Sequence, residues 1–318
     1  MTAAGSGSVP AGRAVHVKVP ASTANLGPGF DTLGLALSLY NELDVEVLNG
    51  PGLEISVEGV GADDVPRDES NLIWRSLAHT FAWAGVGVPG LRIAARDAIP
   101  HGRGMGSSGA AIVAGVMAAK GLLEGIVEIE AGRALALATE LEGHPDNVAP
   151  ALFGSLTIAW MAPEGPQHKR LMVHRGVSPL VAVPTATMST ALARSLQPTS
   201  VPHEDAIFNV SRSALLIAAL IQSPELLLAA TEDKLHQSYR ASAMPETDRL
   251  IRMLRGHGLA AVVSGAGPAI LVLGSDPAQR LEAQRLIAAE AASVWECLLL
   301  AVDFRGATVV PHSIDAVA

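Results

Sequence analysis

The composition of this 318-residue chain excludes several classes of function. Its net charge is -9 at pH 7, which argues against a general nucleic-acid binder or a protein of anionic membrane surfaces, because both need a positive footprint. Hydrophobic residues make up 49% of the chain, but apolar runs such as 214–221 are far shorter than the roughly 20 residues of a membrane span. We expect a globular protein of about two domains that does not enter a membrane.

The single cysteine and the N-terminal composition indicate a cytoplasmic protein. Cys297 alone can form neither an internal disulfide nor a cysteine-based metal cluster, which fits a reducing compartment. Residues 1–13 are rich in Gly, Ala and Ser and lack the apolar core of a secretory signal. We therefore predict a disordered leader there.

The first half of the chain predicts strands followed by helices. Apolar and alternating runs predict strands at 15–19, 45–48, 53–58, 91–95 and 153–160, with 45–48 and 53–58 patterned like antiparallel strands. Helical spacing predicts helices at 71–83, 112–123 and 133–141. Two polar loops interrupted by Gly and Pro, 21–31 and 142–147, are candidates for function.

The second half alternates helices and strands. The Pro/Gly-rich interval 162–167 predicts a boundary between an N-terminal domain, 14–165, and a C-terminal domain, 166–318. Beyond it we predict strands at 180–183, 260–263, 270–273 and 295–302, and helices at 205–221, 225–235, 248–257 and 277–292. The pattern indicates an α+β fold without internal repeats.

The segment 100–110 (PHGRGMGSSGA) has the chemistry of a phosphate loop. Its glycines allow positive φ angles and let an anion approach backbone N–H groups, and its two serines stand where a helix begins. It is not a Walker P-loop, because the lysine of that motif is missing. It is not a dinucleotide-binding fingerprint either, because no acidic residue that could bind a ribose follows at the required distance. An ordinary turn and helix cap would use the same residues, so other motifs must decide.

Five motifs in order resemble those of the GHMP small-molecule kinases. They are 20–31 (PASTANLGPGFD), 100–110, 142–150 (EGHPDNVAP), 190–194 (TALAR) and 263–268 (VSGAGP). Within that superfamily the greatest likeness is to the homoserine kinases, and it covers nearly the whole chain after residue 13. Two departures are small: Met105 stands where leucine is usual and Ala266 where serine is common.

The resemblance implies an architecture and a cofactor. The N-terminal domain would be ribosomal-protein-like with a glycine-rich phosphate loop, the C-terminal domain would be a ferredoxin-like α/β sandwich, and the chain would bind ATP and form a homodimer. The residues implied for nucleotide binding are Asn71, Pro100, His101, Gly102, Arg103, Gly104, Met105, Gly106, Ser107, Ser108, Gly109 and Ala110. Asn71 could equally cap the following helix, and Arg103 could equally point to solvent.

Such a kinase needs Mg²⁺, which prefers oxygen ligands and keeps several waters. The resemblance implies that Ser108 and Glu142 are its ligands. Glu140 competes for the same assignment, although a residue two positions away lies on another side of a helix. The ordinary alternatives are a helix cap for the serine and a solvated helix end for either glutamate.

Homoserine is a zwitterion, so its site should show matched charges. A carboxylate is best held by an arginine fork, and an ammonium group by carboxylate and amide oxygens. Arg194 and Arg240 match the family's carboxylate ligands, and Asn25 and Asp31 match its ammonium and hydroxyl partners. Thr190 and His144 are expected nearby. Surface ion pairs, an Asx turn and a structural histidine are the alternatives.

Asp146 and Asn147 are the implied catalytic residues. A free aspartate, with a pKa of about 4, matches an alkanol poorly, so we expect Asp146 to orient the hydroxyl, and a general-base role stays open. Asn147 can donate to a phosphate oxygen, and a helix cap is the alternative for both. Two other functions stay open: a mevalonate- or sugar-type kinase, which has no use for an ammonium site, and a catalytically silent regulator on the same fold.

Overall fold

A computed structural model describes residues 8–312. Its strands are β1 (Ala14–Ala24), β2 (Leu33–Val47), β3 (Leu53–Gly59), β4 (Leu91–Asp97), β5 (Leu156–Ala162), β6 (Gly165–Leu171), β7 (Ser178–Pro184), β8 (Ala260–Val263), β9 (Ile270–Gly274), β10 (Trp295–Leu299) and β11 (Thr308–Pro311). Its helices are α1 (Leu72–Ala84), α2 (Ser107–Leu122), α3 (Ala131–Glu142), α4 (Pro145–Phe153), α5 (Thr190–Ser195), α6 (His203–Ile221), α7 (Leu227–Ala230), α8 (Gln237–Arg240), α9 (Pro245–Gly256) and α10 (Pro277–Glu290). This confirms the α+β class.

The first sheet contains seven of the described strands. Five lie in the order β11-β1-β2-β4-β3, and β5 pairs with both β2 and β6. Strand β2, which contains 45–47, is antiparallel to both of its neighbours β1 and β4, as its pattern predicts. The antiparallel expectation for 53–58 is wrong, since β3 pairs with β4 and the two are parallel. The reason is the connection between them, which contains α1, because a helical crossover returns the chain in the same direction.

Helix α2 lies in the core and positions the glycine loop that precedes it. Ten of its sixteen residues are buried, and most are Ala, Val or Gly. At Gly115 a Cβ would lie 2.3 Å from the carbonyl oxygen of Ile73, so α1 and α2 approach closely only because that residue is glycine. Dense packing of small side chains therefore holds the start of α2, at Ser107, in one place.

The second sheet has the order β10-β7-β9-β8 and is antiparallel throughout. Helices α9 and α10 supply the buried leucines that pack on it with residues such as Leu180 and Val272. The predicted division at residue 165 stays a prediction. It falls at the start of β6, which extends the first sheet, and β11 returns to that sheet from the other end of the chain.

Only part of the predicted disordered leader, residues 1–13, lies within the described residues. Residues 1–7 of the predicted leader lie outside the described residues. The expectation of disorder does not hold for residues 8–13, because Val9 is buried in the core and Gly12 N–H donates to Val47 O at 2.8 Å. Arg13 also donates to two backbone carbonyls. None of the described helices is long and apolar enough to cross a membrane.

Several elements differ from the sequence prediction. The segment 145–153 is a helix where only a loop and a possible cap were expected, because Pro145 occupies the favoured first position and Pro150 hides the helical pattern. Strand β1 continues to Ala24, four residues into the expected loop. Strand β11 was not predicted, and the expected helix 225–235 stops at Ala230.

Candidate active site

The glycine loop meets both halves of the chain. Gly102, Gly104 and Gly106 have φ angles of 63°, 77° and 68°, the left-handed region that glycine adopts without strain. A Cβ on Gly104 would lie 2.0 Å from the carbonyl oxygen of Ser264, and one on Gly106 would lie 2.1 Å from Ser22 Oγ. The loop is therefore wedged between β1 and the segment after β8, and side chains larger than hydrogen are excluded.

Helix α2 begins at the cavity. Gly106 is its N-cap residue, and the first helical bond runs from Ala110 N–H to Gly106 O. The N–H groups of the first turn have no acceptor within a helix, and the dipole adds positive potential there. Gly102, Gly104, Gly106, Ser107 and Ser108 line one cavity. This arrangement suits an anion, as the loop motif predicts.

A second cavity adjoins the first through the same two serines. Asn71 and His101 line it with Ser107 and Ser108. Asn71 is buried, and its Oδ1 caps α1 by accepting from the N–H groups of Ile73 and Trp74. Its Nδ2 donates to Pro66 O at 2.8 Å. The capping role is therefore present, and Asn71 shapes the cavity through the loop that it holds.

Five members of the implied nucleotide set line neither cavity: Pro100, Arg103, Met105, Gly109 and Ala110. Arg103 donates to Pro184 O at 2.8 Å and to Thr185 O at 3.0 Å, so it ties the loop to the end of β7. Met105 is completely buried in the core. The side chains of Arg103 and Met105 therefore support the loop outside the two cavities.

The two predicted metal ligands are in contact. Ser108 Oγ donates to Glu142 Oε2 at 2.9 Å. Burial raises the pKa of the Glu142 carboxyl, although the bond from Ser108 acts in the opposite direction. Glu140 lies elsewhere: its Oε2 is 2.9 Å from His79 Nε2, and its side chain is half exposed. Of the two glutamates, only Glu142 reaches the cavity.

This donor pair fits Mg²⁺. A hydroxyl and a desolvated carboxylate are hard oxygen ligands, and Mg²⁺ completes its shell with water and phosphate oxygens. Among residues 8–312 no group of three or more His, Cys, Asp or Glu side chains could hold a metal alone. A metal ion held by this pair would need further oxygen ligands, such as water or phosphate oxygens.

The predicted catalytic residues begin helix α4. Asp146 is buried in its first turn, and its Oδ1 is hydrogen-bonded to His144 Nδ1. This bond raises the pKa of the His144 imidazole in spite of its burial. Asn147 Oδ1 accepts from Ser22 Oγ at 3.3 Å. All three predicted side chains line the first cavity, and Asp146 is held by its neighbour.

The residues predicted to bind homoserine line the same cavity. Arg194, on α5, forms a fork with Asp31, with Nη2 to Oδ1 at 3.1 Å and Nη1 to Oδ2 at 3.3 Å. Asn25 Oδ1 accepts from Asp31 N–H at 2.9 Å, and Asn25 Nδ2 donates to Gly265 O. Asn25 and Asp31 both have positive φ, so this loop is sharply folded. Thr190 also lines the cavity.

Arg240 is a buried cation in this wall. It is 2% exposed, and Nη1 donates to Gly265 O at 3.1 Å. Its Nε has no acceptor within the described part of the chain. Burial lowers the pKa of the guanidinium, and the charges of Asp31 and Asp233 act against this. A buried and under-satisfied guanidinium is most stable with an anion beside it.

Sequence reasoning missed some of the lining. Met188, Ser189 and Ala193 join the first cavity from the segment around α5, and Asn41 and Asp97 join the second from β2 and β4. Ser189 caps α5, which a Ser before the TALAR segment could have indicated. Met188 follows β7 by four residues and has no signal of its own, because only the packing of the two halves brings it to the loop.

Comparisons with known proteins agree with this geometry. The model of the GHMP kinase N-terminal domain matches residues 71–155, and that of the GHMP kinase C-terminal domain matches residues 216–292. A homoserine kinase of Leifsonia xyli is 70% identical over 96% of this chain and 95% of its own length. A homoserine kinase of Streptomyces coelicolor is 48% identical over 94% of this chain and 95% of its own.

A solved structure shares the whole fold. The crystal structure of homoserine kinase from Cytophaga hutchinsonii has a TM-score of 0.82 and 25% identity, and the match covers 93% of this chain and 97% of that one. Identity of 70% over nearly the full length leaves no room for a different family. The chain therefore belongs to the homoserine kinase family of the GHMP kinases.

Proposed function

We propose that this chain transfers the γ-phosphoryl group of ATP to the side-chain hydroxyl of L-homoserine, forming O-phospho-L-homoserine for threonine biosynthesis. One observation carries the proposal: the anion-binding loop shares a cavity with a carboxylate, Asp31, and two guanidinium groups, Arg194 and Arg240. These charges complement an amino acid. The homoserine kinases that resemble the chain over nearly its full length support the same acceptor.

Homoserine would enter by exchanging partners with an ion pair. In the structure, Arg194 and Asp31 form an ion pair with 3.1 Å between Nη2 and Oδ1. The substrate carboxylate can replace Asp31 on Arg194, and its ammonium group can replace Arg194 on Asp31, so that no charge is left unpaired. The orphaned Nε of Arg240 supplies a further donor near the same carboxylate. Asn25 Oδ1 stands beside Asp31 as a second oxygen acceptor.

The phosphates would lie against the start of α2. We propose that Ser108 and Glu142 hold Mg²⁺, which neutralises charge on the phosphate oxygens when it is bound. The first-turn N–H groups and the left-handed glycines supply backbone donors that need no reorganisation during the reaction. The adjoining cavity, which the cap residue Asn71 lines, would hold the adenine base.

Alignment supplies most of the catalysis in this scheme. Phosphoryl transfer has a loose transition state, so positioning of the hydroxyl and stabilisation of charge matter more than a strong base. Asp146 is buried and fixed by its bond to His144, which orients its free oxygen. We propose that Asp146 orients the substrate hydroxyl and that Asn147 donates to a phosphate oxygen.

ADP release by the purified protein tests the function. With ATP and Mg²⁺ present, L-homoserine should support turnover, whereas L-threonine, mevalonate and galactose should support far less. We attribute this preference to Asp31, which would bind the ammonium group of the amino acid. A sugar or mevalonate site does not need such a carboxylate. Absence of homoserine-dependent ADP release would refute the proposal. The cytoplasmic location and the homodimer stay predictions, and light scattering tests the second.

A further inference from the structure

We propose that His236 is a positioning residue, which fixes the loop 25–31 against Arg240 and so sets the spacing of the two charges that bind the acceptor. The inference rests on the proposed function and deepens it. His236 lines neither cavity, so it would act only through its neighbours. Three observations support this role: a hydrogen bond, a stack of flat groups and a buried carboxylate.

The hydrogen bond holds the most strained part of the loop. His236 is completely buried, and its Nε2 is 2.7 Å from Gly27 O. A carbonyl oxygen can only accept, so Nε2 carries the proton. Asn25, Leu26 and Gly27 have φ angles of 71°, 52° and 85°, a run that is costly without outside support. The imidazole donor supplies that support from the far side of the loop.

The imidazole ring also aligns Asp31 and Arg240, the two charged residues that would bind homoserine. It stacks on Phe30 with the ring centroids 4.8 Å apart and an interplanar angle of 18°. Arg240 faces the same phenyl ring, with Cζ 5.3 Å from the centroid. Phe30 precedes Asp31 directly, so the ring position constrains that carboxylate. The stack therefore sets the distance between Asp31 and Arg240.

A buried carboxylate holds the histidine itself. The side chain of Asp233 is completely buried, and its Oδ2 accepts from the backbone N–H groups of His236 and Gln237. This oxygen is 3.6 Å from His236 Nε2. Burial lowers the pKa of the imidazole, and nearby Arg240 lowers it further, while Asp233 and Asp31 oppose this. A neutral ring that can both donate and stack explains why the position suits histidine.

Two substitutions separate the two contacts of the ring. His236→Phe keeps a ring beside Phe30 and removes the donor, whereas His236→Gln keeps a donor and removes the ring. His168→Gln is the matched control, because His168 also stacks on a phenylalanine, Phe153, with centroids 3.7 Å apart, but lies on β6 outside both cavities. Steady-state kinetics would vary homoserine and ATP separately, with thermal melting of each variant.

The expected result is a change confined to one substrate. Each His236 variant should raise the KM for homoserine about tenfold, which corresponds to one lost buried contact, with the KM for ATP and kcat within about twofold of the wild type. The control should change neither KM. With an active wild type, three results would overturn the inference about His236 and leave the proposed function intact. They are an unchanged KM for homoserine in both variants, equal losses for homoserine and ATP, and failure of both variants to fold. A wild type without homoserine-dependent turnover would overturn the proposed function as well.

Discussion

Replacement of Asp31 by asparagine tests the charge matching on which the proposed function depends. The substitution keeps the size of the side chain, and asparagine tolerates the positive φ of 53° at this position. It removes the only carboxylate that Arg194 pairs with among the described residues. In the bound state, the substrate ammonium group would then face an uncharged amide while two guanidinium groups stay nearby.

The structure predicts different magnitudes for stability and for catalysis. The Asp31–Arg194 pair is about 40% exposed on both sides, so its loss should cost at most about 1 kcal/mol of folding free energy. A desolvated hydrogen bond between charged groups contributes about 1.5–3 kcal/mol, which is about 10- to 100-fold in kcat/KM for homoserine. Activity should therefore fall far more than the melting temperature.

A comparison of two acceptors makes the assay specific. ADP release would be measured with homoserine and with 4-hydroxybutanoate, which lacks the ammonium group. Asp31→Asn should lose 10- to 100-fold in kcat/KM with homoserine and about threefold or less with 4-hydroxybutanoate. Glu232→Gln is the control, because Glu232 forms a similar exposed pair with Arg212 at 2.7 Å away from both cavities. Equal losses with both acceptors, or none, would refute the assignment of Asp31 to the ammonium group.

Three further outcomes follow from local geometry. Ser108→Ala should raise the Mg²⁺ concentration for half-maximal activity severalfold, and Ser107→Ala should not; equal shifts in both would exclude a ligand role. Gly104→Ala should lower the melting temperature far more than Gly125→Ala. Both glycines have φ near 78°, but only at Gly104 would the added Cβ meet a backbone oxygen, at 2.0 Å. Similar losses in melting temperature would contradict this packing. Burial opposes ionisation of Asp44, but hydrogen bonds from a histidine of β1 and an arginine of β4 lower its pKa overall. Its stabilisation is thus full above the unfolded pKa and is lost as the pH falls through the folded pKa, so Asp44→Asn should cost about 1 kcal/mol at pH 7 and nothing in strong acid, as measured by urea unfolding; a pH-independent cost would argue against the charge.

The motifs and most of the helices and strands can be predicted from the sequence alone. Glycine at 102, 104 and 106 adopts positive φ, so the sequence predicts a tight loop there, although the other motifs were needed to identify it as a phosphate loop. The periodicity of α1 and α9 is also visible in the sequence, since each of these helices buries one face. The charged residues expected to bind a zwitterionic substrate were implied by the resemblance to the homoserine kinases. Helix α4 was not predicted, because its two prolines are typical of helix ends, although Pro145 stands at the favoured first position.

Which side chains share a cavity depends on how distant parts of the chain pack together. Asp31 and Arg194 are 163 residues apart in the chain, and Asn25 and Gly265 are 240 apart, so no local pattern could join them. The same packing directed Arg103 toward β7 and Glu140 toward His79. The parallel pairing of β3 with β4 likewise depends on the path of the α1 crossover. Local sequence sets backbone conformation and residue chemistry, whereas the distance between two charges depends on how the sheets and helices pack against each other.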